Sequence, residues 1–244
     1  TRLFKPSDQA RVWAVRKAGL GLLMNVKGDA KPIPFVEDTA VSPKVLPDFV
    51  KRFDEIIRAH NTEAGYYGHA SVGCLHIRPL INLKNNEGVE RMVDIMEDVS
   101  NLILEFGGAF SGEHGDGLVR GPWNEKMFGS RLYNVFRRVK NTFDPSGIMN
   151  PGKIVDSPPM TENLRINPEY RTAEVHTGFS FKREGGFAAA IEQCNGQGAC
   201  RKVNAGSMCP SFMATRDEEH STRGRANVLR ATISGALPLT SLTS

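Results

Sequence analysis

The chain has 244 residues, of which 40% are hydrophobic, and a formal net charge of +4. A chain of this length and composition can bury a sizeable core in one domain or two. Its basic residues are scattered rather than clustered, which argues against a nucleic-acid-binding surface. No apolar run approaches the length of a membrane span, and the first residues do not resemble a signal peptide. Because the chain begins with Thr1, we interpret it as an internal piece of a longer protein.

The first 155 residues predict an α+β domain. Apolar residues recur at helical spacing in some stretches and alternate in others. In chain order, the predicted elements are a helix at 6–18, a strand at 33–41, a helix from 42, strands at 63–68 and 73–79, a helix at 87–106, a strand at 109–110 and a helix at 130–143. After the first helix, the order strand, helix, strand, strand, helix, strand is that of a ferredoxin-like fold. In that fold we expect both helices on one face of an antiparallel sheet.

The rest of the chain differs in composition. Residues 156–186 contain prolines at 158, 159 and 168 among polar residues without periodicity, which is typical of a linker or an extended arm. The segment that follows predicts helices at about 187–193 and 222–234. We therefore expect a domain at 1–155, a linker at 156–186 and a small, mostly helical segment at 187–244.

Two histidines stand in a glycine-rich stretch between two predicted strands. His69 ends one strand and His76 lies within the next. A tight hairpin can bring these positions together across the ladder, so that both imidazoles reach one metal ion. Ordinary sheet histidines that are satisfied by hydrogen bonds are the alternative interpretation.

A carboxylate and a further histidine follow the last predicted strand, again between glycines. Glu113 can complete a site with His69 and His76, because two neutral histidines and one carboxylate suit a divalent transition metal and leave coordination positions open. His114 comes directly after this carboxylate and can accept a proton beside the metal.

These motifs resemble a known family. The segments 68–76 and 112–115 are similar to the C-terminal domain of FAD-linked oxidases, and more narrowly to its D-lactate and D-2-hydroxyglutarate dehydrogenase branch. The run 144–153, Asp-Pro-Ser-Gly-Ile-Met-Asn-Pro-Gly-Lys, resembles the motif that closes this domain. The resemblance covers about residues 1–155. It implies oxidation of a D-2-hydroxy acid to the 2-keto acid by hydride transfer to FAD.

The resemblance also implies roles for individual residues. His114 would take the proton of the substrate hydroxyl, Arg16 would pair with the substrate carboxylate, and Asn150 would lie near the flavin together with His114. The metal, zinc or another divalent ion, would be held by His69, His76 and Glu113. Most of the FAD would be bound by an upstream domain, because this sequence contains no glycine-rich phosphate-binding motif. We therefore expect the fragment alone to be inactive.

Three cysteines form a second constellation near the C-terminus. Cys194, Cys200 and Cys209, the last followed by proline, resemble the iron–sulfur module that is fused to one subgroup of this family. A 4Fe–4S cluster needs four ligands, so the cluster would be incomplete here and a downstream segment would supply the rest. A structural zinc site and reduced thiols are the alternatives.

The sequence therefore leaves three functional classes open. The leading hypothesis is a fragment of an FAD-dependent D-2-hydroxyacid dehydrogenase that passes electrons to iron–sulfur centres. An electron-transfer or scaffold module with structural histidines is the second, and a zinc hydrolase is the third. Cysteine usage favours a reducing cytoplasm, with peripheral association at the inner face of the membrane as the alternative.

Overall fold

The computed structural model describes residues 2–204, 206 and 208–242. By their internal contacts the residues form two units, Asp29–Glu169 on the one hand and Thr1–Gly28 with Tyr170–Ser244 on the other. Among the residues described, no helix combines the length and the apolar character that crossing a bilayer requires.

An antiparallel sheet forms one layer of the 29–169 unit. Its strands are β1 (Lys31–Pro32), β2 (Thr39–Ala40), β3 (Ala64–His69) and β4 (Cys74–Ile81). β4 lies between β3 on one side and both β1 and β2 on the other, and a single bridge joins Ala40 of β2 to Ala109. This is the strand order of a split βαβ layout. The predicted α+β fold with an antiparallel sheet is confirmed.

Two amphipathic helices, α2 (Leu46–Ala59) and α3 (Asn86–Glu105), form the second layer. The side chain of Asn85 caps α3 by accepting a hydrogen bond from the backbone N–H of Gly88 at 2.7 Å. Both helices bury their apolar stripes against the same face of β4. The most deeply buried side chains of this core include Phe35, Phe49, Phe53, Ile77, Ile81, Met92, Ile95, Met96 and Ile103.

The predicted strand at 33–41 is wrong as a continuous element, because the chain bends between β1 and β2. Pro32 and Pro34 lack the N–H that a ladder needs. Asp38 adopts a φ of 75°, which breaks an extended run. The bend carries Glu37 and Asp38 into the interior, where both are buried. The predicted strand at 109–110 is likewise reduced to the single bridge at Ala109.

The helix predicted at 130–143 begins earlier than expected. The structure has a short helix α4 (Gly117–Arg120), followed by α5 (Asn124–Phe143). Gly129 interrupts α5 with a φ of 75°, so the predicted part is the straight segment after this kink. The chain then turns at Asp144, whose carboxylate accepts hydrogen bonds from the backbone N–H groups of Ile148 and Met149, both at 2.9 Å.

The other unit is mostly helical. It contains α1 (Pro6–Leu23), α6 (Phe187–Glu192), α7 (Pro210–Thr215) and α8 (Thr222–Ile233). Helices were predicted at all of these places except α7, which is only six residues long. Residues 156–186 are all described and contain no helix or strand.

Candidate active site

The β3–β4 hairpin carries a polar face opposite the core. Along β4, Leu75 and Ile77 belong to the core, so the alternate residue His76 points to the other side of the sheet. The register pairs Tyr67 with His76 and His69 with Cys74. His69 and His76 are therefore diagonal neighbours on one face rather than directly opposite, and their ring centroids lie 5.5 Å apart.

The turn of the hairpin depends on Gly73. Its φ is 73°, and a Cβ at this position would lie 1.8 Å from the carbonyl oxygen of Val41. The backbone N–H of Val41 in turn donates to the carbonyl of Gly73 at 3.1 Å. Only glycine combines this backbone conformation with so close an approach, and the approach ties the hairpin to the chain beyond β2.

Glu113 meets both histidines at one oxygen. Its Oε2 lies 3.5 Å from Nε2 of His69 and 3.5 Å from Nε2 of His76. In a tetrahedral site with metal–ligand distances of about 2.1 Å, donor atoms lie about 3.4 Å from one another. The two distances from the histidine nitrogens to Glu113 are thus those expected between ligands of a common ion.

The second nitrogen of His76 is also consistent with a metal site. Its Nδ1 is buried without a hydrogen-bond partner among the described residues, and Oδ1 of Asp38 lies 3.9 Å away. A ligating histidine commonly donates its other N–H to a carboxylate, which fixes the ring. At 3.9 Å the carboxylate of Asp38 makes only a charge contact with this ring, so the fit to a divalent ion rests on the two distances to Glu113 and on the unpartnered Nδ1.

Asp38 holds the loop that carries Glu113 and His114. Its carboxylate accepts hydrogen bonds from the backbone N–H of Glu113 at 3.0 Å, from that of His114 at 2.7 Å and from the hydroxyl of Ser111 at 3.0 Å. Burial raises the pKa of Asp38, but these hydrogen bonds outweigh it and leave the pKa below its ordinary value. A buried carboxylate thus fixes the backbone of the loop.

His114 is held by a second buried carboxylate. Its Nδ1 lies 2.9 Å from Oε1 of Glu37, and the other oxygen of Glu37 accepts a hydrogen bond from Arg78 at 2.8 Å. The ring of His114 stacks on that of His76 with 4.8 Å between centroids and 3° between planes. The His114 side chain is 44% exposed, so the imidazole can meet a substrate.

The electrostatics of the site favour a cation and a neutral His76. Three carboxylates, those of Glu37, Asp38 and Glu113, surround the rings. Burial and the charge of His114 lower the pKa of His76, although the carboxylates oppose them, so this ring keeps the lone pair that a metal needs. Burial, aided by Asp38, raises the pKa of Cys74 to about 11, so its thiol stays protonated.

A second donor set overlaps the predicted one. Asp38, His76, Glu113 and His114 can each offer one ligand atom within 4.8 Å of the others, whereas His69 is outside this group. The oxygens of Asp38 already accept two backbone N–H groups and a hydroxyl, and Nδ1 of His114 is occupied by Glu37. Among the described residues His69 makes no such hydrogen bond to Asp38 or Glu37, and its Nε2 lies 3.5 Å from Oε2 of Glu113.

Two other predicted residues lie elsewhere. Arg16 is on α1, in a different unit from His69, His76 and His114. Asn150 belongs to the 29–169 unit and lines a largely apolar cavity of about 660 Å³ beside α5, together with Phe136 and Met149. Within the 29–169 unit the structure therefore gathers His69, His76, Glu113 and His114, and Asn150 lines a separate cavity.

The four cysteines are all described and are all free thiols. Cys194 and Cys200 are partly buried, and Cys209 is buried immediately before α7. A hydrogen bond from the backbone N–H of Phe212 is the main cause that lowers the pKa of Cys209. Arg223 donates to the carbonyl of Gly196 at 2.9 Å, which brings a positive charge to the loop between the first two cysteines.

Comparison with known proteins identifies the family to which the chain belongs. The family model described as FAD linked oxidases, C-terminal domain, matches residues 4–154. That match covers more than half of the chain, which therefore belongs to this family. The resemblance predicted from the histidine and glutamate motifs is confirmed.

The chain is also similar to particular dehydrogenases. The chain is 38% identical to a D-2-hydroxyglutarate dehydrogenase of Haemophilus influenzae and 39% identical to that of Escherichia coli, over 90% of this chain in each case. It is 33% identical to a D-lactate dehydrogenase of Archaeoglobus fulgidus over 61% of this chain and 31% of that protein. The alignments cover only 21% and 22% of the first two proteins, so the chain spans about a fifth of their length.

Sequence reasoning missed two residues of the site, Glu37 and Asp38. Both fall inside the stretch 33–41, which the sequence predicts as one strand. Two adjacent carboxylates in such a strand are costly unless each is paired. That conflict was the signal that could have assigned them to the site.

Proposed function

We propose that this chain is the substrate-side part of an FAD-dependent dehydrogenase that oxidises a D-2-hydroxy acid to the 2-keto acid. One observation carries the proposal: His69 and His76 meet at a single oxygen of Glu113, with His114 next in the chain. Relatives of the chain are D-2-hydroxyglutarate and D-lactate dehydrogenases, and we take the class of substrate from them. Since the chain spans about a fifth of the first relatives, the activity belongs to the complete protein.

His69, His76 and Glu113 would hold the divalent ion, for which zinc is our first choice. Such an ion supplies a Lewis acid that polarises the substrate hydroxyl and lowers its pKa. His114 then accepts the hydroxyl proton, because its ring is accessible and stands beside the ligand Glu113. The carboxylate of the substrate would pair with Arg16, whose guanidinium suits a bidentate contact.

Oxidation of a secondary alcohol also removes a hydride from the carbon, and FAD supplies its acceptor. We assign Asn150 and the exposed side of His114 to the wall that faces the flavin. Asn150 lies in a largely apolar cavity, which suits the ring system of a cofactor.

An upstream flavin-binding domain is the partner we propose for α5. The straight part of this helix exposes a stripe of large apolar side chains at a helical spacing of three and four residues. The stripe consists of Leu132, Val135, Val139 and Phe143, each between 43% and 77% exposed. The cavity that contains Asn150 is bordered by the same helix, so one docked domain would cover both.

We further propose that Cys194, Cys200 and Cys209 contribute to an iron–sulfur centre that a downstream segment completes. In support, the 221 and 226 residues aligned with the first relatives exceed the length up to residue 154, so similarity continues into this segment. The hydrogen bond from the backbone N–H of Phe212 to the sulfur of Cys209 favours the thiolate form, which is the form that binds iron. Free thiols throughout agree with the cytoplasmic location we propose.

The test uses the complete protein under anaerobic conditions. D- and L-lactate and D- and L-2-hydroxyglutarate are mixed with it in turn, and loss of the oxidised-flavin absorbance is followed. We expect bleaching by at least one D-hydroxy acid, and a rate that falls about 10²- to 10⁴-fold in His114→Gln. The control is His60→Gln, which removes a histidine that pairs with Asp98 away from the site. Absence of bleaching with every acid, or an unaffected His114→Gln protein, would refute the proposal.

The rival scaffold function predicts a different result. If the histidines were structural only, His69→Ala would leave the content of divalent metal unchanged. A zinc hydrolase would instead turn over an ester or peptide without any change in flavin absorbance. The two measurements together separate the three classes.

A further inference from the structure

We propose that Glu37 is a positioning residue for the reaction. Its carboxylate accepts a hydrogen bond from Nδ1–H of His114 and so keeps Nε2 of that ring as the free base. The inference rests on the proposed function of His114 as the proton acceptor. It adds a residue that the histidine and glutamate motifs do not contain.

Three contacts position His114, two of them on its ring and one on its backbone. Nδ1 lies 2.9 Å from Oε1 of Glu37, one face stacks on His76 at 4.8 Å, and the backbone N–H donates to Asp38 at 2.7 Å. Glu37 is acceptor-only when ionised, so a hydrogen bond at this distance requires the proton on Nδ1. The neutral ring then presents an unprotonated Nε2, which is the form that a base needs.

The carboxylate of Glu37 is itself held in place. Its Oε2 accepts from Arg78 at 2.8 Å, and Nε of Arg78 donates to the hydroxyl of Tyr67 at 3.0 Å. The backbone carbonyl of Glu37 accepts from Arg120 at 2.7 Å. Only 9% of the Glu37 side chain and 12% of the Arg78 side chain are exposed, so water competes little with these contacts.

The other nearby carboxylate is poorly placed for the same role. Oδ1 of Asp38 is 3.9 Å from Nδ1 of His114, beyond hydrogen-bond range. The oxygens of Asp38 also hold the loop backbone. The two adjacent acids thus have different roles. Asp38 fixes the main chain at His114, and Glu37 fixes its ring.

The decisive variant is Glu37→Gln, because an amide has one acceptor and one donor end. Arg78 can only donate, so it will hold the amide oxygen, and the NH₂ group will face Nδ1 of His114. Nδ1 must then accept, and the proton moves to Nε2. In the complete protein we expect kcat with the D-hydroxy acid to fall about 10²- to 10⁴-fold. We expect KM to change by less than roughly threefold, since binding is not altered.

Two variants control this experiment. Glu37→Asp keeps the carboxylate and should retain more activity than Glu37→Gln. Glu105→Gln removes a carboxylate that also pairs with an arginine, Arg52, but at the surface of α3. It should leave kcat unchanged. Divalent metal content should be the same in all of these proteins, because Glu37 is not a ligand.

A second readout does not depend on catalysis. The ¹⁵N chemical shifts of histidine-labelled chain report which ring nitrogen carries the proton, and the His114 signals are assigned by their loss in His114→Gln. We expect Nδ1–H in the native chain and Nε2–H in Glu37→Gln. A native protein that bleaches no flavin with any hydroxy acid would refute the proposed function, while the tautomer would still decide the role of Glu37. An unprotonated Nδ1 in the native chain, a kcat of Glu37→Gln within threefold of native, or loss of metal from Glu37→Gln would each overturn the inference.

Discussion

The histidine site is mounted on a sheet, whereas the cysteines lie on loops between short helices. His69 and His76 occupy fixed places on the β3–β4 ladder, and Asp38 ties the loop of Glu113 to that sheet. By contrast, Cys194 follows the six-residue α6, and Cys209 precedes the six-residue α7. The ladder and the buried carboxylate thus fix the residues of the first site through contacts within the protein.

This contrast separates two ways of building a metal site. Where a folded scaffold already holds the donors, little ordering is left for the ion, and binding energy goes into affinity. Where donors lie on loops, part of the binding energy is spent on ordering them, so metal and local folding are coupled. We therefore expect the histidine site to keep its shape without metal, and the cysteine segment to depend more on its cluster.

The largest effect is expected at Glu113, the proposed shared ligand. Glu113→Gln should weaken Zn²⁺ binding by more than about 100-fold, since loss of a group that merely orients a ligand already costs about 10- to 100-fold. Competition with a chromophoric chelator measures the affinity. The secondary structure should not change, because the backbone contacts of residue 113 to Asp38 remain.

Glu105→Gln serves as the matched control, because its carboxylate is bound by Arg52 far along α3. Its Zn²⁺ affinity should equal that of the native protein. If Glu113→Gln bound Zn²⁺ as tightly as this control, the ion would have to use another donor set, such as the one that includes Asp38 and His114.

A smaller effect is expected at the carboxylate that preorganises the site. Asp38→Asn should lower the free energy of unfolding by about 2 kcal/mol near neutral pH, because a charged acceptor of two backbone N–H groups is lost. Urea denaturation measures this difference. The loop at residues 111–114 should also gain hydrogen exchange in the variant, as the sheet no longer holds it.

The same variant has a defined pH dependence. Since the folded pKa of Asp38 lies below its ordinary value of 3.8, its contribution is complete above that value and is lost as the pH falls through the lower, folded pKa. The stability gap between native and Asp38→Asn proteins should therefore narrow only in strong acid. A gap that already closed between pH 7 and pH 5 would mean that another group is responsible.

Sequence patterns predicted those features of the fold that depend on regular helices and strands. The 3.6-residue period located α2 and α3, and alternation located the hairpin, which brought both histidines to one face. The carboxylate pair at 37–38 was missed because a period-two pattern cannot reveal a φ of 75° at Asp38. The burial of Glu37 depends on Arg78 and His114, which are 41 and 77 residues away in sequence. Such long-range compensation is visible only after folding.

The smallest effect is expected in the cysteine segment, and it tests the independence of the two regions. Cys200 is partly buried and has no part in the histidine site. Cys200→Ser should therefore leave Zn²⁺ affinity unchanged and alter the free energy of unfolding of the chain by no more than about 0.5 kcal/mol. In the complete protein the same variant should lower the iron content, because a hydroxyl is a poorer iron ligand than a thiolate. Loss of Zn²⁺ instead of iron would show that the divalent ion binds among the thiols, and the proposed role of the hairpin would then fail.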